Sequence, residues 1–263
     1  MPEQRGKVFH MELKPYEYRE DFLICRHDGD FLGNIHPGTL FRYAQQVANT
    51  QCAAYGITDE TYAKTNTVFL LARQAFHITH MPHVDETVAV VTAPEQMHHA
   101  VNKRLTTIYD ADGTELAFVD SRWVLVDLDK RTILRTRPPE LDGPWASERL
   151  PRALPMRLKK PETTRELGRC TAVYSRCDMN GHLNNSRYVD IVMDALPVEV
   201  VRQYAVEDLL IYYHIEVPLG ESFLLRYALL DEKQWYFAGY RDDDACLFEV
   251  NLTLRPRAEL EAR

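Results

Sequence analysis

Asp178, Asn180, His182, Asn184 and Asn185 crowd into eight positions at the start of DMNGHLNNSRYVDIVMDAL, residues Asp178–Leu196. A carboxylate, an amide and an imidazole recur at every second residue. Histidine is the natural proton carrier near neutral pH. Asp178 can act as a base or as a direct nucleophile. Asn180 can position a water or donate a hydrogen bond to a carbonyl oxygen. The backbone N–H groups of the helix expected after His182 suit an oxyanion. A simpler reading is helix capping, since Asn is a good N-cap. Asn184 or Asn185 could cap a helix that buries Tyr188, Ile191, Val192, Ala195 and Leu196 at helical spacing. Capping accounts for an asparagine or two, but not for Asp178, Asn180 and His182 together.

The elements that must position these residues repeat. In the first half, YEYREDFLICRHDGD reads as a strand into a turn, and IHPGTLFRYAQQVANTQCAAYGI, Ile35 to Ile57, as a helix of about five turns. Strand-like runs follow: TVFLLARQAFHITH, ETVAVVTAP, NKRLTTIYDADGTELAFVDSRWVLVDLD and a short RTILR, with a hairpin turn at Asp110–Gly113. In the second half RCTAVYSRC reads as a strand and NSRYVDIVMDAL as a helix. LLIYYHIEV, SFLLRYALL, QWYFAGYRDDD and ACLFEVNLTLRP read as strands. FRYAQQVA parallels SRYVDIVM, and YDADGTELAFVDSRWVL parallels YRDDDACLFEVNLTL. The prolines at 138, 139, 144, 151, 155 and 161 mark an extended linker. The expected divisions are 1–137, a linker over 138–165, and 166–263. One long helix followed by antiparallel strands, twice, is an α+β architecture with a strongly curved sheet around each helix.

The 263 residues are 45% hydrophobic and 27% charged, as in an ordinary soluble globular protein. No apolar run approaches the roughly 18 residues a membrane span needs, and the N-terminus resembles neither a signal nor a transit peptide. Five cysteines, with no CxxC pair, suggest neither a disulfide framework nor a zinc site and point to a reducing cytoplasm. The net charge of −8 argues against general nucleic-acid binding.

With motif, repeat and linker together, the chain resembles the fatty acyl-ACP thioesterases of plants and bacteria, tandem double-hotdog enzymes that release free fatty acids from acyl carrier protein. The family pattern Asp-x-Asn-x-His-x-Asn-Asn-x-x-Tyr is matched by Asp178, Asn180, His182, Asn184, Asn185 and Tyr188, and a downstream Tyr-x-x-Glu by Tyr213 and Glu216. The resemblance spans about residues 14–256. It implies that Asp178, Asn180, His182 and Glu216 are catalytic, with Glu216 the carboxylate partner of His182. Without it, Glu216 reads as a solvated carboxylate at a strand end. Two positions depart from the pattern: Val217 stands where plant members often have Cys, and Arg176 where many have Asp. A cysteine nucleophile at 217 is thereby excluded. Cys177 reads as core, turned away from Asp178 and Asn180.

The first half carries Asp28, Asp30, Asn34 and His36 at spacings unlike the second-half motif. The resemblance implies that this half holds the acyl chain. Leu40, Tyr43, Ala44, Val47 and Ala48 on the first helix, with Phe69, Leu71 and Phe76, would line the tunnel, and Asn184, Asn185 and Tyr188 would also contact substrate. The same helix face reads equally as plain core. The implied partner is acyl carrier protein bearing a fatty acyl phosphopantetheine, with a homodimer left open and neither nucleic acid nor stable membrane insertion. Lys159, Lys160, Arg176 and Arg187, near the motif or linker, are the docking candidates for that acidic carrier. No cofactor or metal is expected: His77, His80 and His83 are spaced so that strand neighbours face opposite ways, and His98 and His99 lack a partner motif. The competing readings are an acyl-CoA thioesterase on the same scaffold, a non-catalytic acyl-binding sensor and, more distantly, a dehydratase.

Overall fold

The computed structural model describes residues 9–261. The chain divides into two units, residues 1–72 with 81–154 and residues 73–80 with 155–263.

In the first unit, β1 (Tyr18–Leu23) leads through a 3-10 turn, Arg26–Asp28, into α1 (Pro37–Ala54) and α2 (Asp59–Thr65). The strands β2 (Thr67–Ile78), β3 (Thr87–Pro94), β4 (Val101–Tyr109), β5 (Glu115–Asp127) and the short β6 (Thr132–Ile133) follow. β2 gives its residues up to Ala72 to this unit and Arg73–Ile78 to the second. The strand order is β1-β3-β4-β5-β2. β1, β3, β4 and β5 pair antiparallel in turn. The β4–β5 turn lies where expected: Gly113 donates to the Asp110 carbonyl at 3.3 Å, and its φ of +91° suits glycine.

Helix α1 begins at Pro37, whose missing N–H costs nothing at the first helical position. It ends at Ala54, so both ends are two or three residues shorter than expected. Leu40, Phe41, Ala44, Val47, Ala48 and Gln51 are buried at i, i+3, i+4 spacing. The helix packs on β1, β3 and β5, and Tyr43 stacks on Phe22 with centroids 4.5 Å apart.

In the second unit, β7 (Arg165–Thr171) gives way to a 3-10 turn at Tyr174–Arg176, then α3 (Arg187–Asp194) and α4 (Val198–Gln203). β8 (Tyr204–Tyr213), β9 (Ser222–Leu229), β10 (Gln234–Tyr240), β11 (Cys246–Pro256) and a terminal helix, α5 (Arg257–Glu261), complete it. Antiparallel pairing runs from the Arg73–His77 segment of β2 through β8, β11, β10 and β9 to β7. Tyr188 anchors α3 on this sheet, its ring 4.8 Å from Phe248 and 5.4 Å from Tyr213.

Several expectations are corrected here. RCTAVYSRC is not one strand, because Arg176 N–H closes a turn onto the Val173 carbonyl. β8 stops at Tyr213 instead of running through Val217: the N–H groups of His214 and Ile215 both turn to the Leu247 carbonyl. α3 is shorter than NSRYVDIVMDAL, and Pro197 prevents its continuation. α2 and α4 were not foreseen at all. Between Asp142 and Thr164 no helix or strand forms. Among the described residues no helix is long and apolar enough to cross a membrane.

Candidate active site

The motif occupies a tight loop and not a strand. Asp178 N–H donates to the His182 carbonyl at 3.0 Å and Gly181 N–H to the Asp178 carbonyl at 3.0 Å. Gly181 sits at φ +76°, where a side chain would be strained. The alternation of polar residues therefore reflects a turn. Asp178 Oδ1 accepts the Asn180 N–H at 2.9 Å, and Asn184 Nδ2 reaches Asp178 Oδ2 at 3.5 Å.

The segment after β8 lies alongside. Leu183 N–H donates to the Val217 carbonyl at 2.8 Å and Leu219 N–H to the Gly181 carbonyl at 2.9 Å. That pairing brings His182 Nε2 to 3.5 Å from Glu216 Oε2. Glu216 side chain is 59% exposed and His182 33% exposed, so both face solvent while held by backbone on either side. Asn180 is exposed and Asp178 half-buried. Tyr188 is buried beneath them; burial pushes its phenol well up, and the Glu216 and Asp178 carboxylates add to this. Tyr213 hydroxyl donates to the Asn185 carbonyl at 2.9 Å.

The helix after His182 starts later than expected, at Arg187. The N-cap is therefore Ser186, with no side-chain cap bond, and not Asn184 or Asn185; Asn184 Oδ1 instead accepts from Ser186 N–H at 3.0 Å and Oγ at 2.8 Å. Most of the backbone donors assumed free are spent: Leu183 on Val217, Asn184 on Arg176, Ser186 on the Asn184 side chain and Arg187 on the Asn184 carbonyl. Within 183–187, the Asn185 N–H alone has no acceptor among the described residues. Cys177 is half-buried and not core.

The polar network behind Glu216 was missed in the sequence. Glu249, 4% exposed on β11, accepts from Tyr236 hydroxyl at 2.6 Å, His214 Nε2 at 2.9 Å and Lys160 Nζ at 2.7 Å. His214 stands two residues before Glu216, so the network fixes the chain entering the site. Burial opposes ionisation of Glu249, but these hydrogen bonds outweigh it and hold the carboxyl below its ordinary range. A lone acid inside the apolar run ACLFEVNL was the available signal.

The first unit carries the same loop frame. Asp30 N–H donates to the Asn34 carbonyl, Gly33 N–H to the Asp30 carbonyl, Ile35 N–H to Pro82 and Val84 N–H to Gly33. Asp30 Oδ1 accepts the Leu32 N–H at 2.8 Å, as Asp178 does from Asn180. Gly33 has φ +81°. The spacing from Asp30 to Gly33 equals that from Asp178 to Gly181, which corrects the expectation of unlike spacings. Leu32 and Asn34 stand where the other loop has Asn180 and His182. Asp28 stands where the other loop has Arg176, and its side chain accepts from Tyr43 hydroxyl at 3.2 Å. His36 N–H donates to the Asp28 carbonyl.

Of the residues expected around an acyl chain, Leu40, Tyr43, Ala44, Val47, Ala48, Leu71, Phe76 and Tyr188 are buried, while Phe69, Asn184 and Asn185 are half-buried. Of the docking candidates, Lys160 pairs with Glu249, Arg176 with Asp194 at 3.1 Å and Arg187 with Asp190 at 2.9 Å. Lys159 Nζ instead donates to the neutral Gln234 amide at 2.7 Å. His77 Nδ1 lies 2.7 Å from Asp208.

Comparison with known proteins adds independent findings. Residues 15–141 match the family model for the acyl-ACP thioesterase N-terminal domain, and residues 159–243 that for the C-terminal domain. An oleoyl-acyl carrier protein thioesterase of the Arabidopsis thaliana chloroplast is 22% identical over 82% of this chain, which spans 64% of that relative's length. The solved acyl-ACP thioesterase from Bacteroides thetaiotaomicron superposes with TM-score 0.83 at 21% identity, covering 91% of this chain and 98% of that one. The 12:0-ACP thioesterase from Umbellularia californica superposes with TM-score 0.78 at 15% identity, covering 94% of this chain and 100% of that one. These likenesses establish a hotdog-like α+β fold.

Proposed function

The chain belongs to the acyl-ACP thioesterase family, and on that premise we propose that it hydrolyses the thioester of fatty acyl-ACP, releasing a free fatty acid and holo-ACP. The observation that carries the reading is the His182–Glu216 pair at 3.5 Å, above a loop that holds Asp178 and Asn180.

In this reading His182 moves the proton and Glu216 stabilises its charged form. Asp178, its Oδ1 fixed by the Asn180 N–H, acts as base on a water oriented by His182 and Asn180, in preference to attacking directly. The exposed Asn180 amide and the Asn185 N–H are the donors offered to the developing oxyanion. The water's oxygen bonds the acyl carbon, the C–S bond breaks, and the carrier thiolate leaves and is protonated.

We further propose tandem hotdogs, 1–137 and 166–263, joined by the linker at 138–165. The shared loop frame at Asp30 and Asp178 supports this duplication. With Leu32 and Asn34 in place of Asn180 and His182, the first loop lacks the imidazole and carries an amide in its place. Acyl-chain binding is accordingly assigned to the first hotdog, along Leu40, Ala44, Val47, Ala48, Phe69, Leu71 and Phe76, and chemistry to the second. For carrier docking, Lys159 is favoured over Lys160, Arg176 and Arg187, which are already ion-paired. Five free thiols support a reducing compartment, expected to be the cytoplasm.

The test is a side-by-side assay with one acyl group on ACP, CoA and pantetheine. Higher kcat/KM on ACP supports the proposal; equal rates on all three favour the acyl-CoA reading.

A further inference from the structure

Two arginines of the first unit, Arg104 buried and Arg137 half-buried, form no ion pair among the described residues. Arg104 on β4 is 6% exposed. Its guanidinium donates to neutral groups: Gln51 Oε1 at 2.5 Å, Thr92 Oγ1 at 3.2 Å and Cys52 Sγ at 3.7 Å. No carboxylate pairs with it among the described residues. Arg137, just before the linker, makes no hydrogen bond or ion pair among those residues, and its Nε and Nη2 are buried with no partner. Both guanidinium carbons lie over one indole, Trp145, at 6.0 and 4.8 Å from its ring centre. The Trp145 Nε1 is a third buried donor without a partner. The Asp142 carboxylate, whose charge favours the Arg137 cation, is exposed and forms no ion pair with it.

Arginine cannot escape burial by losing its proton. Burial pulls both guanidiniums down, and at Arg137 the like charge of Arg104 adds to the effect. A cation over an aromatic face recovers only part of the desolvation cost. An anion would offset the rest. The unused donors of Arg137 are Nε and Nη2, the edge of the guanidinium that grips a carboxylate with two parallel hydrogen bonds. Around them the wall is apolar: Tyr62, Phe69, Met97 and Leu134 pack, half-buried, on the Ile57–Leu125–Leu141 cluster beside Trp145.

We propose that Arg137, Arg104 and the Trp145 indole N–H form the head of a binding site for the carboxylate of an amphiphilic acid, whose apolar chain lies along Tyr62, Phe69 and Leu134. The acid is a free fatty acid, an identification that rests on the reading of the chain as an acyl-ACP hydrolase, since that is its product.

The test uses the full chain with Trp123→Phe and Trp235→Phe, which leaves Trp145 as the sole indole, and 2-bromodecanoate, whose bromine quenches an indole in contact. Saturable quenching is expected. Adding Arg137→Leu should weaken it about tenfold or more, since one arm of a desolvated charge pair is lost. The alcohol 2-bromodecanol should bind far more weakly, and unbrominated decanoate should relieve the quenching. No quenching, or equal quenching with Arg137→Leu, overturns the site. Relief by inorganic phosphate as effective as by decanoate makes it a bare-anion site and overturns the amphiphile. Where the double tryptophan variant does not fold, equilibrium dialysis of radiolabelled decanoate with the wild-type chain and Arg137→Leu gives the same comparison. No thioester is cleaved in either experiment, so their outcome is separate from whether the chain hydrolyses acyl-ACP.

Discussion

His182 Nε2 stands 3.5 Å from Glu216 Oε2, although 34 residues of sequence separate them. The contact is made by backbone: Leu183 and Leu219 N–H groups knit the motif loop to the segment after β8. Glu216→Gln keeps the shape and removes the charge. Its kcat should fall by about tenfold to a hundredfold, less than for loss of the imidazole itself. Activity at the wild-type level in Glu216→Gln would detach Glu216 from the proton transfer.

The cysteines should be dispensable. Val217 is buried where a family cysteine often stands, and Cys177 is half-buried beside Asp178. Cys177→Ser should keep most activity, and thiol-blocking reagents should leave the chemistry intact. A folded, inactive Cys177→Ser would make that thiol the nucleophile.

Glu249 gives the fold a pH dependence of known sign. Its carboxyl is held below the ordinary value of 4.5. Such a group stabilises the folded chain fully above its unfolded value, and the contribution is lost as pH falls through the folded value. Glu249→Gln should lower stability by about 1–3 kcal/mol at neutral pH, because Tyr236 loses a charged acceptor. The Tm gap between wild type and variant should narrow once the pH drops below 4.5. A gap that stays constant across that range would show that the charge of Glu249 does not stabilise the fold.

The acyl pocket is open to a direct trial. Ala44 and Ala48 are 3% and 7% exposed on the inner face of α1. Replacing either by Phe should shift the released acids toward shorter chains, since each methylene excluded forfeits about 0.8 kcal/mol of burial. The overpacked helix should lose about 1–3 kcal/mol of stability as well. A destabilised variant with an unchanged product profile would put the pocket elsewhere.

The strands were legible because their apolar runs are long and their turns carry strong markers, as at Asp110–Gly113. α1 was legible from its buried stripe. Around the motif, the strand expected up to Cys177 and the helix expected from Asn185 were both drawn too long, because the turn that Gly181 closes and the 3-10 turn at Tyr174–Arg176 are set by backbone hydrogen bonds. The first loop was misread for a related reason. Its frame is backbone hydrogen bonds around Asp30 and Gly33, and the side chains that made the second loop recognisable are absent there. Glu249, a lone acid in an apolar strand, and Arg104, beside Lys103 in β4, escaped notice because such charges have meaning only through their partners. Those partners, His214 and Gln51, are 35 and 53 residues away in sequence.

The central claim is that this chain frees fatty acids from acyl-ACP through His182. Purified wild type and His182→Ala should be given a ladder of acyl-ACPs, with free acid and holo-ACP both quantified. The account predicts stoichiometric release of both products by wild type, and a rate lowered by about 10²–10⁴-fold in a folded His182→Ala. Release by the variant within threefold of wild type, or no free acid from wild type on any acyl-ACP, would contradict it.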